Sequence, residues 1–234
     1  MAHTSQVNPA AAQPVILTVG DDLRVSGLFE RPPDARALFV LGPSAGANMR
    51  HRFLADLSAA LAARGIASLR YQFPYMERNS RRPDTPAVCH ATIRAAIDWA
   101  VEFEPGLPLI AGGKSFGGRM TSQAQALAPL PGVRGIVFLG FPLHPSKKPS
   151  LARADHLAKT SIPLLFVQGT RDALAEVQLI HRAMEALGDR ASLTMIEGAD
   201  HAFHVPARSG RTDADVLRTI AGAVETWVTS ALRQ

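Results

Sequence analysis

Short continuous apolar runs alternate with helical periodicity along nearly the whole chain, and that alternation limits the fold more than any other feature. Residues 37–41 (ALFVL), 67–73, 107–111, 135–139, 164–168 and 192–196 are runs of the kind that form strands buried on both faces. Between them, Phe53, Leu57 and Leu61 recur at four-residue spacing up to Gly65, a helix-ending glycine. Ile93, Ala96, Ile97, Ala100 and Val101 mark a second helical face, and 115–127 and 173–187 read as two more helices. The last helix opens with Thr212 and Asp215, a relative of the capping box, and continues through Val216, Ile220, Val224 and Trp227. Ahead of all these, 15–19 and 24–30 flank Gly20-Asp21-Asp22, a hairpin-turn composition. Alternating β and α units imply an α/β fold, a mostly parallel sheet with helices on both faces.

The 234 residues suit one domain, and no internal repeat or linker divides them. The domain is expected to span 14–234, with 1–13, rich in Ala, Gln and Asn, as a flexible leader. That leader lacks the basic and apolar regions of a signal peptide, so none is expected. No apolar run approaches the ~20 residues needed to cross a membrane. The single cysteine, Cys89, rules out an internal disulfide and fits a buried position in a cytoplasmic protein. A net charge of +5 raises the question of nucleic acid. The basic residues, however, sit in small separate clusters (Arg50/Arg52, Arg78/Arg81/Arg82, Lys147/Lys148), without aromatic interleaving or a known binding signature. A solvated basic surface is expected, not a nucleic-acid partner, and the sequence leaves the oligomeric state open.

Residues 109–120 read LIAGGKSFGGRM and admit two frames. GKS could end a phosphate-binding loop, but that loop needs a glycine five residues before Gly113, and Pro108 stands there without an N–H to offer. The other frame, Gly113-Lys114-Ser115-Phe116-Gly117, is G-x-S-x-G, a serine nucleophile on a sharp strand-to-helix turn. The same pattern occurs at Gly42-Pro43-Ser44-Ala45-Gly46. Ser44, however, is followed by Ala-Gly-Ala-Asn before any helical pattern, and its strand comes too early to expect it at the sheet centre. Ser115 has an apolar strand before it and small residues after it, and is the candidate nucleophile.

A serine nucleophile needs a base, and the base needs an orienting acid. Asp172 follows the strand 164–168, and His201 follows the strand 192–196, so serine, acid and histidine occur in that order at three strand ends. Carboxyl ends of parallel strands share one edge of the sheet, where separate loops can converge. His204 competes with His201, which is nearer its strand. Asp200 competes with Asp172, but a sequence neighbour rarely orients a histidine. His3, His51, His90, His144, His156 and His181 are dispersed without ligand spacing, and no metal is expected.

On SAGANM (44–49), FPYMERNSRRPD (73–84), GGKSFGGRM (112–120), QGTRD (168–172) and GADHAF (198–203), the chain resembles the α/β-hydrolase superfamily. More narrowly it resembles the small dienelactone-hydrolase-like group that includes the testis-expressed and NSL-complex-subunit relatives. The resemblance implies a single-domain hydrolase fold and a serine hydrolase acting on a small ester or thioester, with no cofactor. It also implies an oxyanion hole from the backbone N–H groups of Phe116 and Ala45. Relatives commonly carry His-Gly where this chain has Pro43-Ser44, and serine has less backbone freedom than glycine. Some relatives are non-catalytic parts of larger assemblies, so a silent scaffold is the alternative. Residues 142–160 are long enough for a minimal lid. Phe73, Tyr75 and Met76 are expected at the acyl pocket, with core packing as the alternative. Arg78, Arg81 and Arg82 follow at the same edge, either solvated or drawing in an anionic substrate group.

Overall fold

The computed structural model of the protein describes residues 11–231. The chain forms β1 (Gln13–Val19), β2 (Leu23–Glu30), β3 (Ala37–Gly42), α1 (Arg52–Ala62), β4 (Ile66–Tyr71), α2 (Pro74–Glu77) and α3 (Pro86–Phe103). Then follow β5 (Leu109–Lys114), α4 (Phe116–Leu127), β6 (Val133–Leu139), β7 (Leu164–Gly169), α5 (Val177–Leu187), β8 (Ala191–Ile196) and α6 (Asp213–Ala231). The strands make one sheet in the order β1-β2-β4-β3-β5-β6-β7-β8. β1 and β2 pair antiparallel, as do β2 and β4; every other pairing is parallel. Most of the expected leader, residues 1–10, lies outside the described residues, and β1 takes up Gln13 at its end.

The apolar runs are explained by where alternate side chains go. In β3, Leu38 and Val40 join a core packed under α3 and α4, while Ala37, Phe39 and Leu41 join one packed under α1 and α6. A strand covered on both faces has no polar side, so period-2 patterning disappears from its sequence. At the last helix, Thr212 and Asp215 exchange the two capping bonds: Thr212 N donates to Asp215 Oδ2 at 2.8 Å, and Asp215 N to Thr212 Oγ1 at 3.1 Å.

One topological expectation is corrected. β3 does not lie away from the centre; it is hydrogen-bonded between β4 and β5. From β3 the chain steps outward to β4, then returns through α3 to place β5 on the other side of β3. Connections therefore leave β3 and β5 in opposite directions, which makes the crevice at their carboxyl ends the switch point where α/β folds bind ligands. Several boundaries also move. β4 ends at Tyr71, and Pro74 opens the short α2, suited to a first helical position because its missing N–H is not needed there. β5 extends through Gly112 and Gly113 to Lys114. α5 starts at Val177 rather than 173, because Asp172 folds the preceding residues into a turn, accepting from Leu174 N at 2.8 Å.

Candidate active site

β5 runs straight into α4 with only Ser115 between them. Ser115 has φ 51° and ψ −110°, a left-handed backbone that a non-glycine residue adopts at a cost of roughly 1–3 kcal/mol. The surroundings hold it there: Ser115 N donates to Leu139 O of β6 at 3.0 Å, and Ser115 O accepts from Arg119 N at 3.1 Å. The motif's glycines follow from how closely both α4 and the end of β5 approach Gly42 of β3. A Cβ on Gly117 would lie 2.5 Å from Gly42 O, and one on Gly113 only 2.3 Å from it. Ser44, in the other copy of the motif, lies in a turn closed by Ala47 N donating to Ser44 O, and α1 starts only at Arg52.

The three loops converge on Ser115. His201 Nε2 lies 2.8 Å from Ser115 Oγ, and His201 Nδ1 lies 2.7 Å from Asp172 Oδ2. The Asp172 side chain has no exposed surface, while that of His201 is 26% exposed, enough for a substrate to reach it. Gln168 Nε2 also donates to Asp172 Oδ2, at 2.5 Å, so the carboxylate is held from two sides. The rivals are engaged elsewhere. Asp200 Oδ1 accepts from Ala202 N at 2.8 Å and His204 N at 2.9 Å, which folds the histidine loop. His204 turns outward to Asp213, 3.0 Å away, and that exposed carboxylate raises its proton affinity.

Phe116 N opens α4, where no intrahelical acceptor is available, and Ala45 N lies in the loop after β3. Among the described residues neither donates to a protein acceptor. The positive φ in the β3 loop falls on Gly46, at 72°, and not on Ser44, so serine is tolerated there without strain. Tyr75 has a different position from the one expected. It is fully buried, and its hydroxyl accepts from Gly46 N at 3.1 Å, which anchors the loop bearing Ala45. Phe73 is equally buried, edge-on to Phe116 with ring centroids 5.5 Å apart. Both face the core and not an open acyl pocket; Met76 is partly exposed against the same core. The reason is α2, which turns the chain back over the sheet immediately after β4.

Lys114, the residue before Ser115, is a site feature that sequence reasoning set aside with the phosphate-loop frame. It is buried, donates through Nζ to His201 O at 2.5 Å, and lies 5.0 Å from the Phe203 ring centroid. Burial, partly offset by Asp172 and Asp200, pushes the ammonium down to about 8. A charged residue closing a strand that is apolar on both faces was the available signal. A cavity of about 180 Å³ opens beside it, lined by Ser44, Ala47, Phe53, Lys114 and His201 among others. A larger concavity of about 600 Å³ lies along β1 and α3 and contains none of these residues. Arg78 is paired with Asp84 at 2.5 Å, whereas Arg81 and Arg82 are exposed. Among the described residues no three His, Cys, Asp or Glu side chains are placed to hold a metal ion, and no helix is long and apolar enough to cross a membrane.

A mostly parallel sheet with a serine elbow at its switch point defines the α/β-hydrolase class. The family model for the alpha/beta hydrolase domain matches residues 35–229, and the chain belongs to that family. Among solved structures it is similar to dienelactone hydrolase from Anabaena variabilis, with a TM-score of 0.75 and 20% identity over 94% of this chain and 99% of that one. It is also similar to Est1E from Butyrivibrio proteoclasticus (TM-score 0.72, 15% identity, 96% and 100% covered). A third, from Xanthomonas campestris, is described as an α/β serine hydrolase without a lid (TM-score 0.71, 20% identity, 94% and 96% covered). At these identities the likeness is one of fold. Between β6 and β7 the helical segment is the 3₁₀ stretch Ala152–Lys159, too short for a cap domain.

Proposed function

We propose that this chain is a serine hydrolase that cleaves a small carboxylic ester or thioester through an acyl-enzyme. The observation that carries the reading is the continuous relay from Asp172 through His201 to Ser115, with both links under 3 Å. Ser115 Oγ attacks the carbonyl carbon while His201 Nε2 takes its proton. Phe116 N–H and Ala45 N–H donate to the oxyanion that forms. Collapse expels the alcohol or thiol, which leaves with the proton from His201. Water then repeats the sequence on the acyl-serine and releases the acid. The scheme needs no cofactor. A cytoplasmic site of action belongs to the same reading, supported by the single, buried and unpaired Cys89.

A fluorophosphonate probe tests the nucleophile directly. Wild type is expected to be labelled at Ser115, as are Ser44→Ala and His204→Ala, while His201→Ala is not. A folded wild-type chain that takes no label would be a binding protein on the hydrolase fold. Labelling lost in His204→Ala but kept in His201→Ala would reverse the choice of base.

Lys114 acts through His201 as a positioning residue. Its charge is present below about pH 8 and lost as pH rises through that value. With the charge goes the stronger hydrogen bond to the His201 carbonyl and the compensation of Asp172. kcat/KM for a neutral ester is therefore expected to fall above about pH 8. Lys114→Met should be about 10-fold slower at pH 7, the scale of one charged hydrogen bond, and should lack that alkaline limb. A variant that is slower yet keeps the limb would remove Lys114 from this role.

A further inference from the structure

One turn beyond the nucleophile, the Arg119 guanidinium lies over the Phe116 ring, 5.7 Å from its centroid. It therefore borders the residue whose N–H serves the oxyanion. Arg119 belongs to none of the ion pairs among the described residues, and its Nε is buried without an acceptor. Burial, and then the neighbouring Arg153 charge, hold this guanidinium below its ordinary range. Arg153 comes from the 3₁₀ stretch over α4, and it too has no carboxylate partner among the described residues.

Two histidines complete the cluster. His90 of α3 lies against the Gln123 side chain of α4 with its Nε2 buried, and His156, close to Arg153 in the chain, has Nε2 2.7 Å from Ser122 Oγ of α4. Burial first, then the Arg119 charge, push His156 down to about 4, so it stays neutral and adds no counter-charge. The nearby carboxylates do not neutralise the cluster. Asp155 is exposed and acts on His156 from outside, and Asp84 is occupied by Arg78 and by Tyr75 N at 2.7 Å. Three elements thus contribute two guanidiniums and a buried imidazole, with Arg119 against the Phe116 ring next to the nucleophile turn. Half-buried guanidiniums without a counter-ion are costly, and buried donors are normally satisfied. The charge and donors of this corner suit an anion.

We infer that Arg119 and Arg153, with His90, bind an oxyanion group of the substrate, a carboxylate or a phosphate, while the scissile carbonyl lies at Ser115. A guanidinium fork matches either group. The inference rests on the hydrolase reading for its substrate, but the site can be tested separately from turnover.

Two measurements do this. The first compares kcat/KM for mono-p-nitrophenyl glutarate, anionic on its acyl side, with p-nitrophenyl butyrate, neutral and of similar length. The anionic-to-neutral ratio is expected to drop roughly 10-fold or more in Arg119→Gln/Arg153→Gln, the scale of one charge-assisted contact. Arg153→Gln alone, at the more peripheral position, should lower it in the same direction if the double variant folds poorly. The second follows the melting temperature of the Ser115→Ala protein with glutarate, inorganic phosphate or chloride at equal ionic strength. Glutarate or phosphate, but not chloride, should raise it, and the arginine substitutions should abolish the shift; which of the two works separates carboxylate from phosphate. An unchanged ratio together with no anion-specific shift overturns the site while leaving the hydrolase intact. A shift that depends on the arginines in a chain that cleaves neither ester supports the site and overturns the hydrolase reading instead.

Discussion

Ser115→Ala is expected to lower kcat for a neutral p-nitrophenyl ester by on the order of 10⁶, the cost of removing the nucleophile from an intact triad. The fold should persist. The only side-chain hydrogen bond of Ser115 among the described residues is with His201 Nε2, and the backbone bonds to Leu139 and Arg119 that hold the turn do not involve Oγ. Alanine must adopt the same φ of 51°, a strain that serine already bears. What survives should be the catalysis that binding and the oxyanion donors supply alone, about 10³–10⁴ over water. The test is kcat of a purified variant whose melting temperature matches wild type. Turnover at the wild-type rate would remove Ser115 as nucleophile and, with it, the acyl-enzyme.

Much of this site was legible because its chemistry imposes local patterns. An elbow needs a strand, a tight turn and a helix in immediate succession, and the glycines around Ser115 record contacts with Gly42 that leave no room for a Cβ. The candidate acid and base had to follow strands, so Asp172 and His201 could be proposed by counting runs. The rest depends on packing between segments distant in sequence. β3 lies at the sheet centre because α3 carries the chain back across it, and no local pattern encodes that return. Tyr75 could be read as aromatic and near the strand end, but whether it faces cleft or core is decided by α2, four residues too short to show a period. Lys114 and Arg119 stand inside the motif itself. Their roles appear only once the His201 carbonyl and Arg153 arrive from other parts of the chain.

Asp172→Asn is expected to cost about 10⁴ in kcat at neutral pH, the loss seen when a triad acid becomes its amide, through the histidine tautomer rather than through loss of shape. In the native site Oδ1 accepts from Leu174 N, while Oδ2 accepts from Gln168 Nε2 and faces His201 Nδ1. Asparagine keeps one oxygen. If that oxygen stays at Leu174 N, the amide NH₂ points at Gln168 and His201, and His201 must accept on Nδ1. Its proton then sits on Nε2, facing Ser115 Oγ, and the imidazole cannot take the serine proton. If the amide flips, its NH₂ opposes the Leu174 N–H in a buried position, at a cost of about 1–3 kcal/mol for unmet donors. Asp200→Asn provides the contrast. The Asp200 side chain hydrogen-bonds through Oδ1, accepting from Ala202 N and His204 N, and an asparagine oxygen can keep both bonds, at the loss only of a secondary charge contribution to Lys114. That variant should retain most of its activity. Measured side by side, a dead Asp200→Asn and an active Asp172→Asn would transfer the orienting role to Asp200 and overturn the triad as drawn.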